Sequence, residues 1–392
     1  MKKIFTFAFV ALLSLVLASC GGSKIKIGVV LPDAAEERWL NQDGRFLEEE
    51  LKKLGSGYEY EILFSDGDEA KEKQNVEALI SRGAKVIIIT THGTGAGAVE
   101  AAHKAGVKVI AHDRMSKSDT EVADFYTTFN SWNVGKAQGK HLVDMALANG
   151  ATAENPVDIA IFAGRTADWP NATYFFGGAM EEIQPHLAKF NIITPNKTDV
   201  LALEKYTEAT FNDVARLALQ KAMNTVDTDW NPETAATKAS AVVAGLGDKA
   251  GKDVYVLAPN DDTSAAIRQE FAKMTGKYAK YYTTGQDASN VALASLMGDT
   301  VRGNGTQTMT VFKDTKKLSQ DSVKIAKNII DGKAGLTGLT GGPKIDGADT
   351  AYTAIDILLA TEPQKIYDLI FKTGYKAKTE PAFSNIDFKK YE

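Results

Sequence analysis

The chain has 392 residues, of which 44% are hydrophobic and 24% charged, and it carries a net charge of -5 with a single cysteine. That balance is ordinary for a globular protein with a full core, and it excludes a disordered chain, a disulfide scaffold and a basic nucleic-acid binder. About 370 residues beyond the N-terminal leader exceed one typical core, so two domains are expected.

Met1-Lys2-Lys3 is a short basic segment, and Ile4 to Leu17 is mainly apolar but too short to span a bilayer as a helix. It runs into Leu17-Ala18-Ser19-Cys20. This resembles the lipobox of bacterial lipoproteins, which implies a signal peptide over residues 1–20 and a lipid-bearing Cys20. The expected location is the cell envelope, anchored to a lipid membrane without crossing it. Gly21-Gly22-Ser23 reads as a tether.

From Lys24 onward, short β-type runs alternate with helical patterns. Strands are expected at 25–31, 58–64, 86–90, 107–111 and 125–129, and helices at 38–54, 69–82 and 96–104. A second series gives helices at 132–148, 171–183, 211–223, 263–274 and 318–330. Its strands fall at 157–162, 201–206, 254–258, 281–284 and 306–311. The segment 227–253 interrupts the alternation, with a small-residue run that reads as a peripheral helix. This pattern specifies an α/β fold with parallel sheets built from βαβ units.

Polar clusters follow the strands. Arg38-Trp39 lies beyond the first, Asp113-Arg114 beyond the fourth, and Asn260, Asp287 and Lys313 follow strands of the second series. Ligands of open α/β sheets bind outside the carboxyl ends of the strands, so these groups can converge on one crevice. A carboxylate accepts from adjacent hydroxyls, a guanidinium donates a planar fork, and an amide does both. With an aromatic face, that set suits a polyhydroxylated ligand. His92 can reach the same mouth. The five His lack metal-ligand spacing, so neither metal nor cofactor is expected.

In order along the chain, ERW (37–39), VKVIAHDRM (107–115), Asn171-Ala172, NDDTSAAI (260–267), GQDA (285–288) and GTQTMTVFK (305–313) resemble the type I periplasmic binding proteins. The similarity is to the xylose-binding and multiple-sugar-binding group of ABC transporters. It implies two Rossmann-like domains joined by three crossovers, near Asn130, Val311 and Gly341. The domains would be 24–130 plus 312–341, and 131–311 plus 342–392. It also implies a monosaccharide such as xylose or glucose held by Arg38, Trp39, Asp113, Arg114, Asn171, Asn260, Asp287 and Lys313, to which His92 is added from its place after the third strand. The protein would then be a monomeric receptor rather than an enzyme, delivering sugar to a permease, with a chemoreceptor as a further partner.

Where the group has a pocket Trp near position 210, this chain has Phe211, so either Phe211 or Trp169 is expected to supply the stacking. Asp261 and Asp262 read as helix caps and solvated charges. Three alternatives are weighed against this reading. Gly93-Thr94-Gly95-Ala96-Gly97-Ala98 imitates a dinucleotide fingerprint, with Asp113 twenty residues beyond Gly93, and so suggests an NAD-type dehydrogenase. Asp113 with Asp261 suggests a glycosidase pair. A receptor for a nucleoside is the third.

Overall fold

The computed structural model describes residues 24–34, 38–247, 252–273, 278–299 and 306–392. The leader with Cys20, and Glu37 of the ERW motif, lie outside the described residues. No described helix is long and apolar enough to cross a membrane.

Thirteen strands are described: β1 (Ile25–Leu31), β2 (Tyr58–Phe64), β3 (Ala84–Ile89), β4 (Lys108–His112), β5 (Phe125–Phe129), β6 (Val157–Ile161), β7 (Phe190–Ile192), β8 (Lys252–Leu257), β9 (Tyr278–Thr283), β10 (Thr306–Gln307), β11 (Met309–Lys313), β12 (Asp349–Thr353) and β13 (Ile355–Leu359). They form one sheet in the order β12-β5-β4-β3-β1-β2 and another in the order β10-β9-β8-β6-β7. Every pairing within these two sheets is parallel. The runs VVL in β1 and VIII in β3 are fully buried, as expected of parallel strands covered by helices on both faces. The expected α/β class with two parallel sheets is what the chain forms.

Three passages join the sheets. One lies between β5 and the helix Ser131–Ala148, whose first turn Asn130 caps by accepting from Asn133 N. The other two are β11 and β13, which pair antiparallel to each other. β12 pairs with β5 in full register, so residues 349–353 extend the first sheet rather than the second. The third crossing therefore falls after Thr353 and not at Gly341. The C-terminal stretch returns to the second unit, where Ile366, Ile370 and Phe383 bury against Leu293 and Leu296.

Two local expectations are corrected. Residues 201–206 form no strand, and Leu201 is 55% exposed. The edge strand is instead β7, only three residues long, which pairs with β6. Arg38–Leu54 is a helix whose first stretch, Trp39–Gly44, winds as a π-helix before the α-helix Arg45–Lys52. Such wide turns recur at functional sites.

Candidate functional site

The loops at the carboxyl ends of the strands enclose a cleft of about 410 Å³, lined by residues from both units. All nine residues expected at the site line it: Arg38, Trp39, His92, Asp113, Arg114, Asn171, Asn260, Asp287 and Lys313.

The first wall is built around Asp113, immediately after β4. Its φ of 64° is left-handed, a conformation uncommon outside glycine that clusters where structure imposes it for function. Asp113 N donates to Thr127 O at 2.8 Å, and Arg114 N to His112 O at 2.7 Å, which fixes the turn. Asp113 Oδ1 lies 2.9 Å from Arg38 Nη2. Burial opposes the charge on Asp113, but Arg38, Lys313 and Arg114 outweigh it and hold the carboxyl far below its usual range. Arg38 responds in kind: burial works against its charge, and Asp113, Asp43 and Asp287 more than offset that.

Trp39 is only 1% exposed. The Arg38 and Arg114 guanidinium carbons lie 4.5 and 4.8 Å from its ring centroid. The ring thus holds the two arginines by cation–π attraction. It is not the expected stacking face for a ligand.

A buried polar chain sets Arg38 from behind. Arg38 Nε donates to Asp43 Oδ2 at 3.1 Å, and Asp43 Oδ1 lies 2.9 Å from His112 Nε2. His112 Nδ1 is 2.8 Å from Ser322 Oγ, which is 2.6 Å from Thr127 Oγ1. Asp43 and His112 have no exposed surface. These partners are 69 and 210 residues apart, so no sequence spacing announces them.

The opposite wall repeats the device. Asp287, following β9, has φ of 92°, its N donates to Val311 O at 2.9 Å, and Oδ1 lies 2.9 Å from Lys313 Nζ. Asn260 caps the helix Asp261–Ala272: its Oδ1 accepts from Thr263 N at 3.0 Å and from Thr263 Oγ1 at 2.6 Å. Capping and a place on the cleft wall coexist in this residue.

Asn171 is committed mostly to protein. Its Nδ2 donates to Asp113 O at 2.9 Å and toward the Asp168 carboxylate at 3.2 Å, and its Oδ1 accepts from Ser131 Oγ at 3.1 Å. It therefore bridges the two units. Arg165 does the same, donating from Nη1 to His92 O at 2.7 Å.

Sequence reading missed the segment Asp227–Asn231 that closes this wall. Asp229 and Trp230 have φ of 54° and 55°, and two successive non-glycine residues in the left-handed region form a strained turn. Asp227 braces it by accepting from Thr166 N at 2.8 Å and from Asp229 N at 2.7 Å. Asp229 Oδ1 lies 3.1 Å from Arg165 Nε. Trp230 Nε1 donates to Asp168 Oδ2 at 3.2 Å. The Trp230 ring lies so close to Gly164 that a Cβ there would sit 2.3 Å from it.

Trp230 thus lines the cleft in place of the expected Phe211 or Trp169. Those two stack on each other elsewhere, 6.3 Å apart and 5° from parallel. The helix expected in this segment is present as Pro232–Ala244. Asp168 was also missed. Burial and the charge of Asp113 push its carboxyl up, against Arg114, Asn171 and Lys313.

Asp261 is not a solvated charge. It is 1% exposed, and its carboxylate accepts from Ser289 N at 2.9 Å, Gln307 Nε2 at 2.6 Å and Thr310 Oγ1 at 2.9 Å. Committed to those bonds and absent from the cleft lining, it cannot pair with Asp113 across a glycosidic bond. Asp262 does line the cleft. The glycine run at 93–98 opens a helix at Ala96, but Thr94 N already donates to Glu69 Oε1 at 2.7 Å. The loop is thus tied to a carboxylate of this chain.

Behind the mouth, Glu72 is 1% exposed and accepts from His92 N at 3.0 Å and Thr91 Oγ1 at 2.9 Å. Burial pushes its carboxyl up to about 7, although both hydrogen bonds pull the other way.

Four cations (Arg38, Arg114, Arg165, Lys313) and five carboxylates (Asp113, Asp168, Asp229, Asp262, Asp287) line the cleft. Such balanced charge offers many fixed donors and acceptors and little net pull on an ion. Two parallel α/β units with this cleft at their strand ends have the form of a small-molecule binding protein. The family model of the periplasmic binding protein domain matches residues 27–334, and the chain belongs to that family.

A carbohydrate transporter solute-binding protein from Chloroflexus aurantiacus, solved with D-glucose, is 33% identical with a TM-score of 0.75; the match covers 93% of this chain and 99% of that one. An ABC transporter solute-binding protein from Clostridium phytofermentans with bound β-D-glucose is 25% identical, TM-score 0.71, over 92% of this chain and 100% of its own. The multiple sugar-binding periplasmic receptor ChvE of Rhizobium radiobacter is 28% identical over 343 residues, 85% of this chain and 86% of that protein.

Proposed function

We propose that this protein is the lipid-anchored sugar receptor of an ABC transporter. It binds a monosaccharide in the cleft, closes on it and hands it to a permease. The observation that carries this reading is the convergence of all nine expected residues on one cleft whose charges are balanced and held by one another. A volume of about 410 Å³ lies toward the small end of small-molecule pockets, which run from about 300 to 1,000 Å³.

Glucose is the first ligand to test, because two similar solved proteins are described with it bound. Arg38, Asp113 and Arg114 would hold one edge of the ring, Asn260, Asp287 and Lys313 the other, with Trp230 against its apolar face. Asn171 and Arg165 would act between the units, setting the walls.

A thermal-shift screen of the mature chain against aldoses and nucleosides tests this. A ligand of the native state raises stability by RT ln(1 + [L]/Kd), about 2.7 kcal/mol at a hundredfold excess over Kd. A shift with a nucleoside and none with any aldose would overturn the sugar assignment. For the anchor, Cys20→Ala is expected to release the protein from membranes; the variant remaining in a washed membrane pellet would count against lipidation.

A further inference from the structure

A second cavity of about 490 Å³ lies beside the first. The two linings change over between consecutive residues twice, His92 to Gly93 and Arg114 to Met115, and on the facing wall Ala167 and Trp169 of the second lining flank Asp168. Neighbouring Cα atoms are 3.8 Å apart, so at those two places only the thickness of the backbone stands between the cavities. Asp168 belongs to both linings. Its carboxylate accepts from Trp230 Nε1 and Asn171 Nδ2, and an ionised carboxylate has about four acceptor positions in all.

The second cavity is itself equipped for a sugar. Trp169 is half-buried and stacked on Tyr174 and Phe211, and its Nε1 donates to Asp346 Oδ2 at 3.1 Å. Lys117 Nζ lies 5.4 Å from its ring centroid and pairs with Asp346 at 2.7 Å. Glu100, Asp119 and Thr120 add carboxylates and a hydroxyl to the same lining. A rigid indole bordered by charged and hydroxyl groups repeats the chemistry of the first cavity.

We infer that the second cavity is a subsite for the neighbouring unit of a disaccharide or other glycoside, with Asp168 shared between the two sugar units. The inference rests on the reading of the first cavity as a sugar site. It widens the ligand class from free monosaccharides to glycosides whose terminal unit fills the first cavity.

The test is calorimetry of glucose, cellobiose, maltose and gentiobiose on the mature chain and on two variants. Ala167→Trp adds bulk to the second cavity from an exposed position, and Trp169→Ala removes its indole. At least one disaccharide is expected to bind wild type. Ala167→Trp should weaken that disaccharide tenfold or more while moving glucose less than twofold, and Trp169→Ala should weaken it in the same sense. Glucose binding with no disaccharide binding would overturn the subsite and leave the sugar receptor standing. Equal losses for glucose and disaccharide in Ala167→Trp would also overturn it. Failure of all four sugars on wild type would overturn the subsite for glucosides, and the aldose screen then decides the receptor reading separately.

Discussion

Arg114 and Arg38 show how a single side chain is made ready for a neutral ligand. Each guanidinium lies against Trp39, and Arg38 is tied further to Asp113 and Asp43. Removing one fork leaves its partner oxygens buried without a donor. Arg114→Ala is therefore expected to cost about 2–5 kcal/mol of sugar affinity, and Arg114→Lys to recover only part, since a point charge does not replace a planar fork. Calorimetry decides it, and an unchanged affinity in Arg114→Ala would place the ligand elsewhere. Trp230→Ala is expected to cost about 2 kcal/mol, the loss of a buried aromatic contact. The same titration checks this, with the fold confirmed by circular dichroism.

The element with the clearest pH signature is the helix Glu69–Ser81, which carries Glu72 under the cleft mouth. In the folded chain this carboxyl keeps its proton up to about 7, whereas an unfolded one releases it near 4.5. Between those values the folded state binds more protons, so stability falls as pH rises from 4.5 to 7 and levels off above. The slope is at most about 1.4 kcal/mol per pH unit for one group. Glu72→Gln removes the titration, so the difference in melting midpoint between pH 5 and pH 8 is expected to narrow. An unaltered difference would show that Glu72 titrates normally.

The same scale explains which elements were legible. β1, β2, β5 and the helix Ala96–Lys104 match their expected bounds, because long apolar or periodic runs between glycines carry their own signal. β7 has only three residues, and the alternation in Leu201-Ala202-Leu203 imitates a strand that tertiary packing does not use.

For the whole molecule, the cleft is spanned by Arg165 to His92 O and Asn171 to Asp113 O, and the second cavity is bordered by a bond from Trp169 to Asp346. A ligand touching both walls favours the closed arrangement, and so shifts the population toward it. Scattering is expected to give a smaller radius of gyration with sugar than without. Arg165→Ala should enlarge the sugar-free radius and weaken binding by removing one clasp. An unchanged radius at saturating sugar would refute the closing mechanism.

What the sequence determined by itself was local and periodic. It carried the α/β alternation and the polar residues that follow the strands, and its resemblance to a family of binding proteins completed the set of nine positions that line the cleft. It could not say which residues stand behind them. Asp43, His112 and Ser322 meet only because three distant segments stack in one unit, and Asp168 is shared between cavities only because two units face each other. Nor could it place the aromatic wall. Trp230 reaches the cleft through two left-handed residues and a close approach over Gly164, a conformation that surrounding contacts impose. The crossover after Thr353 was decided in the same way: β12 is set by the free edge of β5, and pairing partners are a property of the assembled sheet.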